Sequence, residues 1–555
     1  MKRMKIVVIG GVAAGAGAAA RLRRLDEKAE IVLIERGPYI SYANCGLPYH
    51  VGEVIPARDS LMVMPLEKFT SWFNVDVRVN SEVVSIDRTG MKIAVRGPDG
   101  NYTESYDKLL IATGSSPIKM QLPGSDDPRV TSLWTIPDMD RVKDKINGGA
   151  KRALVVGAGF IGLEVAENLN GRGLEVTVVE LMDQVLPTVD KEMTTPLAQE
   201  LSASGISLRL GHKVERFEDE NGAFSAVLDD GSRIPSDLVI MSVGVKPNSE
   251  IAKAAGLATG PRGHIAVDEH LQTSDPNIFA AGDVIEVVDP VLGGKIAIPL
   301  AGPANKQARI VADNIAGRSS KYEGSYGASI IKIGSLTAAS VGATERRLKQ
   351  AGVEYRKIYA HCGSNASYYP CAEMMKMKLL FAKDGKILGA QIVGVKGADK
   401  RIDVIASAMR SGVTAPGLAM LELSYAPPFN SAKDPVNMLG MIADDVLNGD
   451  TRPVHSDAIP DGALLVDVRE PAESQNSPIP GFINIPLGKL RSRLDELDKT
   501  RKIVVTCAVG QRGFFAERIL RQNGFDAYNL SGGCATWKLF NPPPLVPSEK
   551  TEGCG

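Results

Sequence analysis

Two glycine-punctuated segments, Gly10-Gly11-Val12-Ala13-Ala14-Gly15 and Gly157-Ala158-Gly159-Phe160-Ile161-Gly162, each follow a short apolar run and open a helix-like stretch. A strand that turns on glycines into a helix begins a βαβ unit, so two of them commit the chain to parallel α/β sheets. The first is read as strand Ile6 to Ile9, turn Gly10 to Gly15, helix Ala16 to Leu25 and strand Ile31 to Glu35. Glycines let backbone approach a pyrophosphate at a helix N-terminus, where free N–H groups and the helix dipole attract anions. The second turn keeps the strict G-x-G-x-x-G spacing, whereas Val12 takes the place of the middle glycine in the first. Glu35 and Glu180 each end the following strand, where a carboxylate accepts hydrogen bonds from a ribose. Glu180 would repel a 2'-phosphate, and Leu181 to Gln184 bring no arginine to receive one, so NADH is favoured over NADPH.

The 555 residues, 44% of them hydrophobic, can bury several cores and suggest three or four domains. A formal charge of -1 gives no global reason to expect nucleic acid or membrane partners. No apolar run reaches the length of a membrane span. The start, Met1-Lys-Arg-Met-Lys5, superficially resembles a leader, but the glycine spacing after it argues for a βαβ unit. Six sparse cysteines, with no C-x-x-C pair, predict free thiols in a reducing cytoplasm and no metal site.

Leu110-Ile-Ala-Thr113-Gly114 and Ile278-Phe-Ala-Ala-Gly-Asp283 read as further strands ending in small-residue turns. Together with the first turn they resemble the glutathione-reductase-like flavoprotein superfamily. The resemblance implies FAD held by Gly10 to Gly15, Glu35, Arg36, Asn44, Thr113, Gly114, Asp283 and Ala301, with Asp283 at the ribityl chain. It implies NADH held by Gly157 to Gly162, Glu180 and Gly244, with Glu164 facing the nicotinamide and flavin edge. The expected fold class is α/β: two Rossmann-like domains of the glutathione-reductase type, an α+β dimerisation domain and a further C-terminal α/β domain. The expected boundaries are 1–115 with 245–325 for FAD, 116–244 for NADH and 326–445 for a domain that makes a homodimer in this superfamily.

Cys45, in Ser41-Tyr-Ala-Asn44-Cys45-Gly-Leu-Pro-Tyr49, stands alone where such enzymes usually carry two cysteines. A lone thiol is expected to rest as a mixed disulfide, a persulfide or a sulfenic acid. The segment resembles the signature of coenzyme A disulfide reductases. That resemblance implies coenzyme A, as substrate or retained cofactor, contacted by Arg21, Arg24, Ser41, Asn44, Asn305 and Lys433. It also implies catalytic tyrosines supplied by the partner subunit from Tyr368, Tyr369 and Tyr425. Where some relatives place a basic residue, this chain reads Ser71-Trp-Phe-Asn74. Cys362 and Cys371 are read as structural, and Cys534 and Cys554 are left without a role.

A linker is expected at 446–456, a new α/β pattern at 457–545 and a flexible tail at 546–555. Leu464-Leu-Val-Asp467-Val-Arg469, Gly481 to Pro486 and Ile503-Val-Val-Thr-Cys507 read as strand-and-turn segments. They resemble a rhodanese domain, in which the loop Cys507-Ala-Val-Gly-Gln-Arg512 would wrap N–H groups around a persulfide while Arg512 favours the thiolate. A phosphate- or arsenate-handling cradle is the local alternative. The whole reading is an NADH-driven flavoprotein reductase of persulfide, polysulfide or coenzyme A disulfide, with sulfur relayed by Cys507. An NADH oxidase or peroxidase, a sulfur-trafficking carrier and a redox sensor are its rivals.

Overall fold

Lys5–Ile9 buries four successive apolar residues, as a strand covered on both faces must. In the computed structural model, which describes residues 3–220 and 222–545, it is the middle strand of a parallel five-stranded sheet. Cys554 and the tail read at 546–555 lie outside the described residues. The described chain divides into two compact units: up to Asp183 together with Ile206–Gly327, and Gln184–Gly205 together with everything from Ala328.

In the first unit the sheet runs Ile278–Ala280, Lys108–Ile111, Lys5–Ile9, Glu30–Ile34, Asp76–Arg78. The helix after the first turn begins at Ala13 and ends at Leu25. Its alanines sit against helix Ala301–Ile315, so closely that a Cβ on Gly17 would lie 3.3 Å from that of Ala308. Arg23, buried near its C-terminus, donates to the carbonyls of Asp26, Glu27, Ala29, Phe73 and Asn74, which satisfies a charge removed from water and complements the helix dipole. A second parallel sheet runs Ser207–Leu210, Glu175–Glu180, Arg152–Val156, Leu238–Met241, Val130–Thr131, and carries helix Phe160–Gly171 after its own turn.

The second unit contains an antiparallel sheet, Ser329–Ile333, Leu336–Gly342, Ile387–Gly394, Met374–Phe381, Arg356–Gly363. Neither Leu336–Gly342 nor Arg356–Gly363 was read as a strand from the sequence. Helix Pro435–Leu447 starts where Asp434 caps the Val436 amide and proline occupies the first turn, a position that has no amide to satisfy. Lys378 is fully buried in the sheet and ion-paired to Asp190 (2.8 Å), Glu192 (2.5 Å) and Glu345 (2.5 Å).

A parallel sheet follows in the same unit: Pro453–Val454, Ala527–Leu530, Ile503–Thr506, Leu464–Asp467, Ile483–Asn484. The span read as a linker therefore ends inside it, with Pro453 tolerated because this strand lies at the edge. Contacts tie this sheet's flank to strand Arg356–Gly363: Tyr359 N donates to Ser531 Oγ (3.2 Å), and His361 Nε2 pairs with Thr536 Oγ1 (2.7 Å).

Candidate active sites

Both nucleotide turns of the first unit are built to one plan. Gly10 has φ +100°, and a Cβ there would lie 2.2 Å from Ala112 O; one on Gly15 would lie 1.8 Å from Gly10 O. Gly157 (φ +105°) and Gly162 repeat this against Ser242 O and Gly157 O, at 2.3 and 2.0 Å. These contacts require glycine, and they bring each helix start down onto its strand. Around Gly159 no atom lies within 4 Å of where a Cβ would be, so backbone faces open space at the mouth of that turn. Val12 and Gly159 are the helix N-caps, and neither helix has a side-chain cap, so amides at both helix starts face outward.

Each terminal glutamate is clamped the same way. Glu35 accepts from the Gly11 and Gly37 amides (2.8 and 2.7 Å), and Glu180 from those of Ala158 and Met182 (2.7 and 2.9 Å). Each carboxylate oxygen keeps a lone pair for a further donor. The residues present thus fit two dinucleotides. Thr113 and Gly114 hold Asn248 through bonds from Thr113 Oγ1 to Asn248 O (2.7 Å) and from Asn248 Nδ2 to Thr113 O (2.8 Å). Arg36 reaches Ser116 Oγ (3.2 Å), Gly244 has φ +110°, and Ala301 opens its helix.

Cys45 sits in the short turn Asn44–Gly46, its thiol exposed and its amide bonded to Asn44 Oδ1 (3.1 Å). The preceding Ser41 is held at φ +46° by bonds from its N to Gly11 O and from Met64 N to its O, a costly conformation fixed from both sides. Burial first, then the charges of Glu164 and Asp283, raise the Cys45 pKa. Asp283 follows strand Ile278–Ala280 and accepts from Ser115 Oγ (2.8 Å); burial raises its pKa. Glu164 lies on helix Phe160–Gly171 and accepts from Tyr49 Oη (3.3 Å). Burial lifts Glu164 to about 7, against the opposing bond from Tyr49. Tyr49, four residues beyond Cys45, thus ties the thiol's segment to the helix that follows the second nucleotide turn.

Arg21, expected at the coenzyme A phosphates, instead pairs with Asp313 (2.9 Å) on the neighbouring helix. Arg21 is half-buried and Asp313 buried, and the two are far apart in sequence, so nothing local announces the pairing. Arg24 stays exposed, 5.9 Å over the Phe73 ring. Asn305 is exposed and donates to Ala301 O (2.9 Å). In the second unit Lys433 is exposed. There Tyr368 and Tyr425, 73% and 47% exposed, share a hydrogen bond of 2.6 Å between their hydroxyls, which raises the Tyr425 pKa. That pair separates Tyr368 from Tyr369. Cys371 is exposed with φ +59°, and burial lifts Cys362 to about 11.

Cys507, buried just after strand Ile503–Thr506, accepts the Gly510 amide at its Sγ (3.1 Å). Gly510 takes φ +95° to cap helix Gln511–Gln522. The loop rests on residues 529–535: Cys534 N donates to Cys507 O (2.8 Å), Ala535 N to Ala508 O (2.9 Å) and Asn529 Nδ2 to Gly510 O (3.1 Å). Arg469 is spent on Asp467 (2.6 Å) and Ser477 O (2.9 Å). Arg512, expected to favour the thiolate together with the loop amides, is bound bidentately by Glu473 (2.6 and 2.7 Å). Sequence reading missed Glu473, Tyr49 and Ser115, each a partner distant in the chain from the group it holds.

Residues 4–308 match the pyridine nucleotide-disulphide oxidoreductase model, 329–435 its dimerisation domain, and 453–539 a rhodanese-like domain. A coenzyme A disulfide reductase from Staphylococcus epidermidis is 34% identical over 440 residues, 79% of this chain and 99% of that protein. The crystal structure of reduced Bacillus anthracis CoADR-RHD superposes with a TM-score of 0.96 at 44% identity, covering 98% of this chain and 99% of that one. A NAD-dependent persulfide reductase from A. fulgidus superposes at 0.91 with 38% identity, covering 96% and 100%. The chain belongs to the pyridine nucleotide-disulphide oxidoreductases, flavoproteins that use NAD(H), and continues into a rhodanese-like domain.

Proposed function

We propose that this chain is an NADH-driven, FAD-dependent reductase of the sulfur–sulfur bond in persulfides, polysulfides or coenzyme A disulfide, releasing sulfide or free thiol. The observation that carries the reading is the single thiol Cys45, in a turn whose following helix Leu47–Val51 is tied through Tyr49 to Glu164 on the helix of the second nucleotide turn (3.3 Å). FAD would be held by the Gly10 to Gly15 turn, Glu35 and Asp283, and NADH by the Gly157 to Gly162 turn and Glu180. Bound flavin, recharged by NADH, supplies the electron pair for the reduction.

The Cys45 thiolate attacks one sulfur of the substrate, forming a new S–S bond and expelling the other sulfur as thiolate or hydrosulfide. Two electrons and two protons then break the new bond, restoring the Cys45 thiol and releasing the sulfur bound to it as the second product, thiol or sulfide. Arg24, Ser41, Asn44, Asn305 and Lys433 would position coenzyme A. Arg21 is left out because Asp313 engages it. In a homodimer joined through 326–445, the paired hydroxyls of Tyr368 and Tyr425 would donate a proton to the departing thiolate. Glu164, titrating near neutrality, would hold or release a proton beside Cys45. Cys507, cradled by the Gly510 amide, would take up sulfane sulfur and pass it on. All five described cysteines are free thiols, which suits work in a reducing cytoplasm.

NADH consumption with coenzyme A persulfide, polysulfide and coenzyme A disulfide tests this reading. Turnover that requires one of these and stops in Cys45→Ser supports it. Brisk oxygen or peroxide consumption with no sulfur substrate would replace it with the oxidase reading.

A further inference from the structure

Within the loop Cys507 to Gly513, Arg512 is the sole charged side chain; Ala508, Val509 and Gln511 bring no charge. Its guanidinium is engaged at both Nη atoms by the Glu473 carboxylate, across two elements: Arg512 on helix Gln511–Gln522, Glu473 on helix Pro471–Asn476. Glu473 is itself pinned, since its Oε2 also accepts the Glu470 amide (3.1 Å) in a capping box. A bidentate pair of this kind fixes both partners in one geometry. Arg512 lowers the Glu473 carboxyl to about 2, so it stays ionised at any working pH. Glu470 is a second carboxylate acting on Arg512. The other guanidinium near the loop, Arg469, is taken by Asp467. Its Nη1 comes within 3.7 Å of Cys534 Sγ.

The donor observed at the Cys507 sulfur is the Gly510 amide, and the loop's side chains other than Arg512 carry no charge. A free arginine would welcome a dianion such as thiosulfate, which must bring its sulfonate group in beside the loop. Two carboxylates against one engaged guanidinium give no such welcome.

We propose that Glu473 is a specificity-determining residue: by engaging Arg512 it favours at Cys507 persulfides whose sulfur end carries at most one negative charge and disfavours thiosulfate. The proposal rests on the reading of Cys507 as a sulfur acceptor and adds its donor class. The loading step balances for either donor. The Cys507 thiolate attacks the outer sulfur of R–S–SH, the Cys507–sulfur bond forms, the S–S bond of the donor breaks, and R–S⁻ leaves with the electron pair. From thiosulfate the leaving group is sulfite. Cyanide then removes the bound sulfur as thiocyanate and restores the thiolate, so no reductant is needed and the flavin half stays idle.

The experiment measures loading of Cys507 in the full chain by peptide mass spectrometry and by thiocyanate release, without NADH. Thiosulfate and N-acetylcysteamine persulfide are the two donors. Wild type should load faster from the persulfide. Glu473→Gln should speed thiosulfate loading by about tenfold, the size expected from removing one charge near a dianion at partial exposure. It should leave persulfide loading within about twofold, as for a weakly coupled surface pair. Glu473→Asp should restore discrimination. In wild type, raising ionic strength should speed thiosulfate loading and leave the persulfide unchanged, because screening relieves repulsion of the dianion. Equal effects of Glu473→Gln on both donors, or a wild-type preference for thiosulfate, would overturn the proposal. Loading of Cys507 by neither donor would overturn the acceptor reading and this inference with it, whereas an unchanged donor ratio would overturn the inference alone.

Discussion

Cys45 and Cys507 serve the same element in opposite surroundings. Cys45 is exposed on a turn whose neighbours, Glu164 and Asp283, work against its thiolate. Cys507 is buried in a loop that aims an amide at its sulfur. A thiol hemmed by carboxyls gains its reactivity from what is delivered to it: electrons, a proton and an electrophilic sulfur. A thiol in an amide cradle is prepared to hold a charged sulfur without help. The difference argues for separate tasks, reduction at the first and storage or transfer at the second.

The largest expected effect breaks the pair apart. Cys45→Ser should cut NADH turnover on coenzyme A persulfide by at least about a thousandfold, as loss of a nucleophile does. Loading of Cys507 should survive it, and loss of both activities together would deny the division of labour. Cys507→Ser should do the reverse: no sulfur loading, and NADH rates on small persulfides close to wild type. Tyr425→Phe is next. It should lower disulfide turnover by about a hundredfold while sparing sulfur loading, the usual worth of one positioned proton donor. An unchanged rate would remove the hydroxyl pair from the mechanism.

A stability variant sharpens the contrast in how the two sites are held. The Cys507 loop leans on residues 529–535, whose neighbours Ser531 and Thr536 contact Tyr359 and His361. Tyr359 in turn donates to Glu192 (2.8 Å) in the Lys378 cluster. Lys378→Met leaves Asp190 and Glu192 buried without their cation, while Glu345 keeps Lys357 (3.2 Å), and should cost about 3–5 kcal/mol in denaturant unfolding of the second unit. Sulfur loading at Cys507 should then fail at a lower denaturant concentration than flavin retention. Simultaneous loss would show that the two units unfold as one. Acid should act on the same region. Burial first, then nearby lysine charge, pushes His361 down to about 3 and His455 to about 4, from an ordinary 6.5. Between those limits the unfolded chain binds protons that the folded chain refuses, so stability falls as pH drops below about 6.5.

What the sequence displayed was what lies close along the chain. Gly10, Gly15 and Glu35 form one local device, as do Gly157, Gly162 and Glu180, and Cys507 with Gly510. Spacing alone exposes such units, because a tight turn demands glycine and a strand end demands its acid at a set distance. Side-chain pairings across the fold leave no such trace. Tyr49 meets Glu164 from 115 residues away, Ser115 meets Asp283 from 168, and Lys378 meets Asp190 from 188. One hint was available: Lys378 stands between Met377 and Leu379 in a strand whose other residues, Lys376 apart, are apolar, and a lysine there must find carboxylates once buried. Arg21 and Arg512 were legible as cations near sites, but their claimants Asp313 and Glu473 were not.

The finest test concerns the carboxyl beside Cys45. Burial raises Glu164 from 4.5 to about 7, so the folded state holds its proton through a window where the unfolded chain has released it. That group stabilises the fold below about pH 4.5 relative to higher pH, and the contribution is lost as pH rises toward 7. The same titration reaches the thiol, because ionised Glu164 is one cause of the raised Cys45 pKa. Glu164→Gln removes that charge at every pH, so the alkylation profile of Cys45 with iodoacetamide should move to lower pH, and any inflection near 7 should vanish. Burial and the Glu164 charge act on the same thiol, and the variant separates them. A profile that does not move would mean that burial alone disfavours the Cys45 thiolate, and the contrast with Cys507 would then be one of solvation and not of charge.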